Sequence, residues 1–286
     1  MKTLFTQPPL TKLNKVTVKM LTRLITVFAL LPLLLISQFS SANDISRSAV
    51  PQININLGEK IAFYSENLKE QREFFIRLPE GYQETKRNYP VIYLLDANNE
   101  TLTYMKNLYF HSVTQIERLM QHGDIPESII VGIPFKRNQW FSNVSRTPQP
   151  FRNYLTKELS NHINDNYRTI NNNILIGQSY SATFVINTLP TSSDTFNSYI
   201  AIEPILPNNA FETAVKNYQN ISIKNSDLQI ILGGDVMLSE TEALRKSIIS
   251  LAGKMVNISL NVFPTESHAS VYYPALNRGL RNHFAD

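Results

Sequence analysis

Residues 174–184 read ILIGQSYSATF: a short β-branched run, Ile174-Leu175-Ile176, passes through Gly177 to Ser179 and on into helix-compatible sequence from Tyr180. This is the pattern of a strand that turns sharply into a helix with a serine at the corner, G-x-S-x-G, except that Ser181 holds the last small position. At such a corner small residues let the two backbones cross and the serine takes a strained positive φ that lifts its hydroxyl off the sheet. The next amide, here that of Tyr180, then points at a developing oxyanion. A turn serine without chemistry would look the same locally, so what the rest of the chain brings to this corner decides between the two.

Outward from the corner, strand-like and helical segments alternate. Val91-Ile92-Tyr93-Leu94-Leu95 is a continuous apolar run of the kind buried on both faces, and helical character follows over 100–120. SIIVGI (128–133) precedes a helix over 151–163; SYIAI (198–202), LQIIL (228–232) and ISLNVF (258–263) precede helices over 209–218, 239–251 and 274–284. Strands alternating with helices imply right-handed crossovers and a mostly parallel sheet covered on both faces. Ahead of them, segments 52–57, 61–65 and 73–78 (EFFIRL) have the short spacing of an antiparallel meander. The irregular stretch 134–150, which carries the only tryptophan, Trp140, follows a strand's carboxyl end. Open α/β sheets bind ligands there, so this stretch is expected to wall or cover a substrate site, a solvated loop being the alternative.

The first 42 residues differ in kind from the rest. They hold Lys2, Lys12, Lys15, Lys19 and Arg23, no acid, and the apolar run Leu24 to Ile36 ahead of Ser40-Ser41-Ala42. That is a secretory signal by its parts, and its apolar run is short for a membrane span. Met20 opens a compact signal of its own and is an alternative start to Met1. Cleavage would leave residues 43–286 as one domain, large enough for a substantial core without disulfides, and the chain has no cysteine to form any. The full chain has 27 basic and 23 acidic residues, and removal of the five basic ones in the signal leaves 22 against 23. The apparent basicity therefore belongs to targeting and gives no support for nucleic-acid binding. With no lipobox cysteine either, a periplasmic or secreted protein without a lasting membrane anchor is expected.

A serine hydroxyl is a poor nucleophile until a base takes its proton, and the base needs a carboxylate to fix its tautomer. In the chain order Ser…acid…His, only His268 and His283 lie after Ser179. His268 follows the last strand in FPTESHAS, whereas His283 sits near the end of the terminal helix and suits a dipole contact. His111, His122 and His162 precede the serine in or beside helices and suit surface or core roles. Asp235 directly follows the penultimate strand, the expected place for the acid; Glu240 and Glu242, a few residues on, fall on a helix. Ser179, Asp235 and His268 each follow a different strand of one sheet, and that agreement is more specific than any single motif.

Several runs resemble one family: RLPEGY (77–82), YPVIYLLD (89–96), IIVGIP (129–134), the segment from Leu159 through Tyr167-Arg168-Thr169, and ESHASV (266–271). They look like the esterase D / enterochelin esterase group of α/β-hydrolases, over residues 50–286. The resemblance implies the α/β-hydrolase fold and a serine hydrolase that needs no cofactor or metal and acts on carboxylic esters, its partner a small-molecule ester such as a siderophore lactone. It implies Ser179 as nucleophile, His268 as base, and a second oxyanion amide at Ala97 or Asn98; some members of the group work with serine and histidine alone. Two departures stand out: Gln178 replaces a histidine before the serine, with Ser181-Ala182 where the group has glycines, and Glu203-Pro204-Ile205-Leu206 replaces a Ser-Pro-Ser-aromatic run. Glu203 is expected as a solvated loop residue, with a substrate-facing carboxylate as the alternative. A non-catalytic binding relative and an acyltransferase with the same residues are the rival functions.

Overall fold

In the computed structural model, which describes residues 57–97, 108–134, 149–205, 226–234 and 256–285, eight strands form one sheet. They are β1 (Glu59–Ser65), β2 (Glu70–Arg77), β3 (Tyr89–Leu95), β4 (Ile129–Ile133), β5 (Thr169–Gln178), β6 (Ser198–Ile202), β7 (Ser226–Gly233) and β8 (Val256–Phe263). Their spatial order is β1-β2-β4-β3-β5-β6-β7-β8. The β1–β2 and β2–β4 pairs are antiparallel and all others parallel, so the expected meander and doubly covered sheet are both present. The signal-like residues 1–42, the segment 52–56, Trp140 and the helices expected over 209–218 and 239–251 lie outside the described residues. Among the described residues no helix is long and apolar enough to cross a membrane.

The continuous apolar runs are explained by period-2 geometry with both faces covered. Val91, Tyr93 and Leu95 of β3 pack on one face with Phe151 and Tyr154, while Ile92 and Leu94 join the opposite face. That opposite face is covered by helices α1 (Leu108–Gln121) and α5 (Tyr272–Phe284), through Val113, Ile116, Leu276 and Leu280 among others. On the first face lies a continuous helical run: α2 (Gln149–Asn153), a π-helical stretch (Tyr154–Leu159) and α3 (Ser160–Asn166). Beside it lies α4 (Tyr180–Ser192), which begins one residue after Ser179. Strand β5 is longer than its apolar core: Thr169 pairs with Tyr89, and the Asn173 N–H donates to Asn197 Oδ1 at 2.9 Å. Side-chain amides thus extend a strand whose outer half has no apolar pattern.

The parallel register brings the strand ends that matter into one row. Gln178 pairs with Ile202, Ile202 with Ile231, and Gly233 with Phe263, so the chain leaves β5, β6, β7 and β8 at one edge.

The outer hairpin is tied to the π-helical stretch by Glu158. Its carboxylate accepts from Ser65 Oγ at 2.5 Å, from the Asn67 N–H at 2.9 Å and from Asn67 Nδ2 at 2.7 Å. Burial works against the charge, but the Ser65 and Asn67 donors outweigh it and hold the carboxyl below its ordinary value. A depressed folded value stabilises the fold above the unfolded pKa of about 4.3 and is lost as pH falls through the folded one. Glu158→Gln is therefore expected to lower stability at pH 7 by about 1 kcal/mol, discounted for partial exposure, or roughly 2–4 °C in Tm. Thermal melts should show the gap to the parent protein closing below about pH 4.

Candidate active site

Three adjacent strands end in the same unusual way. The residues after β3, β5 and β6 are Asp96, Ser179 and Glu203, with φ of 62°, 60° and 49°. All three are polar, none is glycine, and all are buried. Positive φ at such residues costs on the order of 1–3 kcal/mol each and persists only where the surroundings over-determine it.

At β5 the determining feature is a close crossing. A Cβ on Gly177 would lie 2.7 Å from the carbonyl carbon and oxygen of Ser181, closer than side chains are ever found to backbone, so only glycine fits. The helix therefore passes directly over the strand, and Ser179 makes the turn at φ 60°, ψ −118°. Its N–H still donates in the sheet, to the Ile202 carbonyl at 2.8 Å, and its own carbonyl accepts the first helical N–H, from Thr183, at 3.2 Å. The Tyr180 amide sits at the first position of α4, where backbone N–H groups and the helix dipole favour negative charge. This is the strained corner expected from the sequence.

Ser181, the departure from the motif, is fully buried and bonded on several sides. Its Oγ accepts the Gln178 N–H at 2.8 Å and donates to Asp96 Oδ2, with the Gln178 carbonyl also 2.8 Å away. Gln178 in turn donates from Nε2 to the backbone carbonyl of His268 at 3.0 Å. The residue that replaces the group's histidine thus ties the elbow to the loop after β8.

His268 stands in that loop, half-buried, and its Nδ1 is 3.3 Å from Glu203 Oε2. The other carboxylate oxygen, Oε1, accepts the N–H of Gly233 at the end of β7. With Nδ1–H donated to a carboxylate, the basic lone pair of the imidazole is on Nε2. The expectation of a solvated Glu203 is overturned: the residue is only 7% exposed, and its two oxygens are engaged by the Gly233 N–H and His268. The clue in the sequence was position, because a carboxylate directly after the buried strand SYIAI starts at the sheet edge. The chain order Ser…acid…His could not select it, since Glu203 and Asp235 both satisfy that order.

Asp235, Glu240, Glu242 and Asn98 lie outside the described residues. Of the two amides expected after β3, that of Ala97 is occupied, donating to the Ile133 carbonyl at 3.1 Å. The Ala97 amide is thus engaged within the sheet. His162 stacks on Phe63 at 5.3 Å, and His283 bonds Asn172 at 2.8 Å, both in structural settings. Among the described residues no group of three histidine or acidic side chains is gathered as a metal site. A cleft of about 880 Å³ runs between α1 and α5 past Arg118, Arg278 and Arg281, but neither Ser179 nor His268 lines it.

The Esterase family model matches residues 65–237. An IroE-like serine hydrolase from Shewanella oneidensis is 25% identical, with a TM-score of 0.68 over 79% of this chain and 80% of its own. The siderophore hydrolase EstB from Aspergillus nidulans shares the fold at 17% identity, with a TM-score of 0.61 over 81% of this chain and 96% of its own. The uncharacterized protein YjcH of Bacillus subtilis (strain 168) is 24% identical over 238 residues, which are 77% of this chain and 94% of that protein. The family match takes in more than half of the chain: the protein belongs to the Esterase family of α/β-hydrolases and is a serine hydrolase of carboxylic esters.

Proposed function

We propose that this protein is an exported esterase in which Ser179, His268 and Glu203 act as nucleophile, base and orienting carboxylate. The observation that carries this reading is the buried Glu203 carboxylate 3.3 Å from His268 Nδ1, at the sheet edge where the elbow presents Ser179. His268 Nε2 takes the Ser179 proton as Oγ attacks the ester carbonyl, and the tetrahedral oxyanion forms toward the Tyr180 amide and that of Asn98. The proton then passes to the leaving alcohol, and water repeats the sequence in reverse to release the acid. Glu203 stays ionised throughout, fixing the tautomer and offsetting the imidazolium charge, while the Gly233 N–H holds the carboxylate in place.

For substrate, we propose a siderophore lactone or another small acyl ester, a reading supported by the siderophore hydrolase among the proteins of the same fold. Residues 1–42 would direct export and leave a periplasmic or secreted enzyme, with the loop carrying Trp140 as a wall of its site. N-terminal sequencing of the exported protein should begin near Asn43; an intact leader would sink the export reading.

Ser179→Ala is expected to cut p-nitrophenyl acetate hydrolysis by at least about 10³-fold and to abolish labelling by a fluorophosphonate. Persistent labelling would show that the activated serine is another residue, and an unlabelled parent protein would point to a binding relative.

Glu203→Gln keeps the size but loses the charge, and kcat should fall roughly 10²–10⁴-fold. Asp235→Asn, measured alongside, should stay within about threefold of the parent; the opposite ranking would return the acid to the end of β7.

A further inference from the structure

We propose that the buried Ser181–Asp96 pair positions the elbow for catalysis, so that the residue by which this chain departs from G-x-S-x-G is a working part of its site. The inference rests on the serine-esterase reading above and goes on to assign roles to two residues outside the triad. Ser181 is fully buried and Asp96 is 3% exposed, so neither is a surface polar group in passing contact with the other. A buried carboxylate is costly without donors, and the Ser181 hydroxyl supplies one. A hydroxyl has a single proton and two acceptors in reach, Asp96 Oδ2 and the Gln178 carbonyl; the carboxylate is the stronger acceptor, and the Oγ lone pairs are left for the Gln178 N–H. Asp96 thus orients Ser181, and Ser181 holds the peptide immediately before the nucleophile.

Position along the chain gives the pair its leverage. Ser181 directly follows Tyr180, the source of one oxyanion amide, and Asp96 stands two residues before Asn98, the source of the other. The pair therefore spans the two segments whose spacing sets the oxyanion hole, one at the end of β3 and one at the start of α4. The Asp96 side is itself braced. Its positive φ turns the chain so that the next amide, of Ala97, bonds the Ile133 carbonyl at the end of the neighbouring strand. Oxyanion stabilisation depends on sub-ångström placement and acts on the transition state more than on bound substrate. Loss of the strut should accordingly appear in kcat and leave KM nearly unchanged. A glycine at 181, which the motif would favour, removes one donor to the carboxylate and the side-chain acceptor of the Gln178 N–H; here it should harm the enzyme.

The test is steady-state hydrolysis of p-nitrophenyl acetate, with thermal melts, for Ser181→Ala, Ser181→Gly, Asp96→Ala, Asp96→Asn and the Ser181→Ala/Asp96→Ala double variant. Expected are a 10–100-fold loss of kcat for both Ser181 variants and for Asp96→Ala, with KM within about threefold. The double variant should be no worse than the poorer single one. Asp96→Asn, whose amide oxygen still accepts from the serine, should stay within about fivefold of the parent. If Asp96→Ala does not fold, the Ser181 variants and Asp96→Asn decide alone. A kcat within twofold of the parent for Ser181→Ala or Ser181→Gly overturns the proposal. So do losses that multiply in the double variant, or losses shared between kcat and KM with no retention by Asp96→Asn. Ser179→Ala is the separate control: activity surviving in it defeats the esterase reading itself, whatever the strut variants do.

Discussion

Strand β5 and helix α4 cross at Gly177 too closely for any side chain, and much of the site follows from that contact. A helix lying directly over the strand must begin immediately after it, and the one residue left to reverse direction is Ser179 at φ 60°. The strain, on the order of 1–3 kcal/mol, is held by the sheet. Residues 174–178 are hydrogen-bonded to β6 along their whole length and 174–176 to β3 as well, and the Ser179 N–H is still part of the ladder. No disulfide contributes, because the chain has no cysteine. What resists relaxation is burial on both faces, Leu175 on one and Ile174 and Ile176 on the other. The hydroxyl is presented by a stretch of chain that has no alternative course.

The location of the proposed acid has a geometric basis. In a parallel sheet the ends of β6 and β8 are two strand spacings apart, about 9–10 Å. A carboxylate at the end of β6 must reach back across β7 to meet an imidazole from the β8 loop, and glutamate has one more methylene than aspartate with which to do so. The Gly233 N–H, at the end of the intervening strand, receives one oxygen on the way and leaves the other for His268. On the histidine side, the loop is drawn inward by Gln178, and the Gly234 N–H bonds the Glu266 carbonyl at 2.7 Å. The contact is therefore built from β5, β6, β7 and the β8 loop together.

This also explains which parts of the molecule were legible from the chain. Apolar runs such as YPVIYLL and SYIAI announce doubly buried strands because burial on both faces removes the need for alternation, and helices between them imply a mostly parallel sheet. The elbow was legible for a similar reason: Gly177 and Ser179 satisfy a steric demand that lies within a few residues. Glu203 was not, because its burial comes from residues 30 and 65 positions away, Gly233 and His268. The bond of the Ala97 amide was hidden for the same kind of reason, its acceptor Ile133 lying on the neighbouring strand. Ser181 was visible as a departure, but its meaning was not, since its partner Asp96 is 85 residues earlier. Local sterics are written in neighbouring residues; the partners of a buried polar side chain are not.

Those partners reveal how a site full of polar groups survives inside an apolar core. Asp96, Gln178, Ser181 and Glu203 are each buried, and each would cost free energy there alone. Linked, they meet one another's demands: Asp96 takes the serine proton, the serine takes the Gln178 N–H, the Gln178 amide caps the His268 carbonyl, and His268 faces Glu203. All but the local Gln178–Ser181 bond join the end of one strand to a segment that follows another, so removal of a member weakens the satisfaction of a buried group and loosens the spacing of two segments at once. Stability and geometry are therefore held by the same bonds. The network around Ser179 thus holds in one arrangement the groups that the proposed mechanism uses.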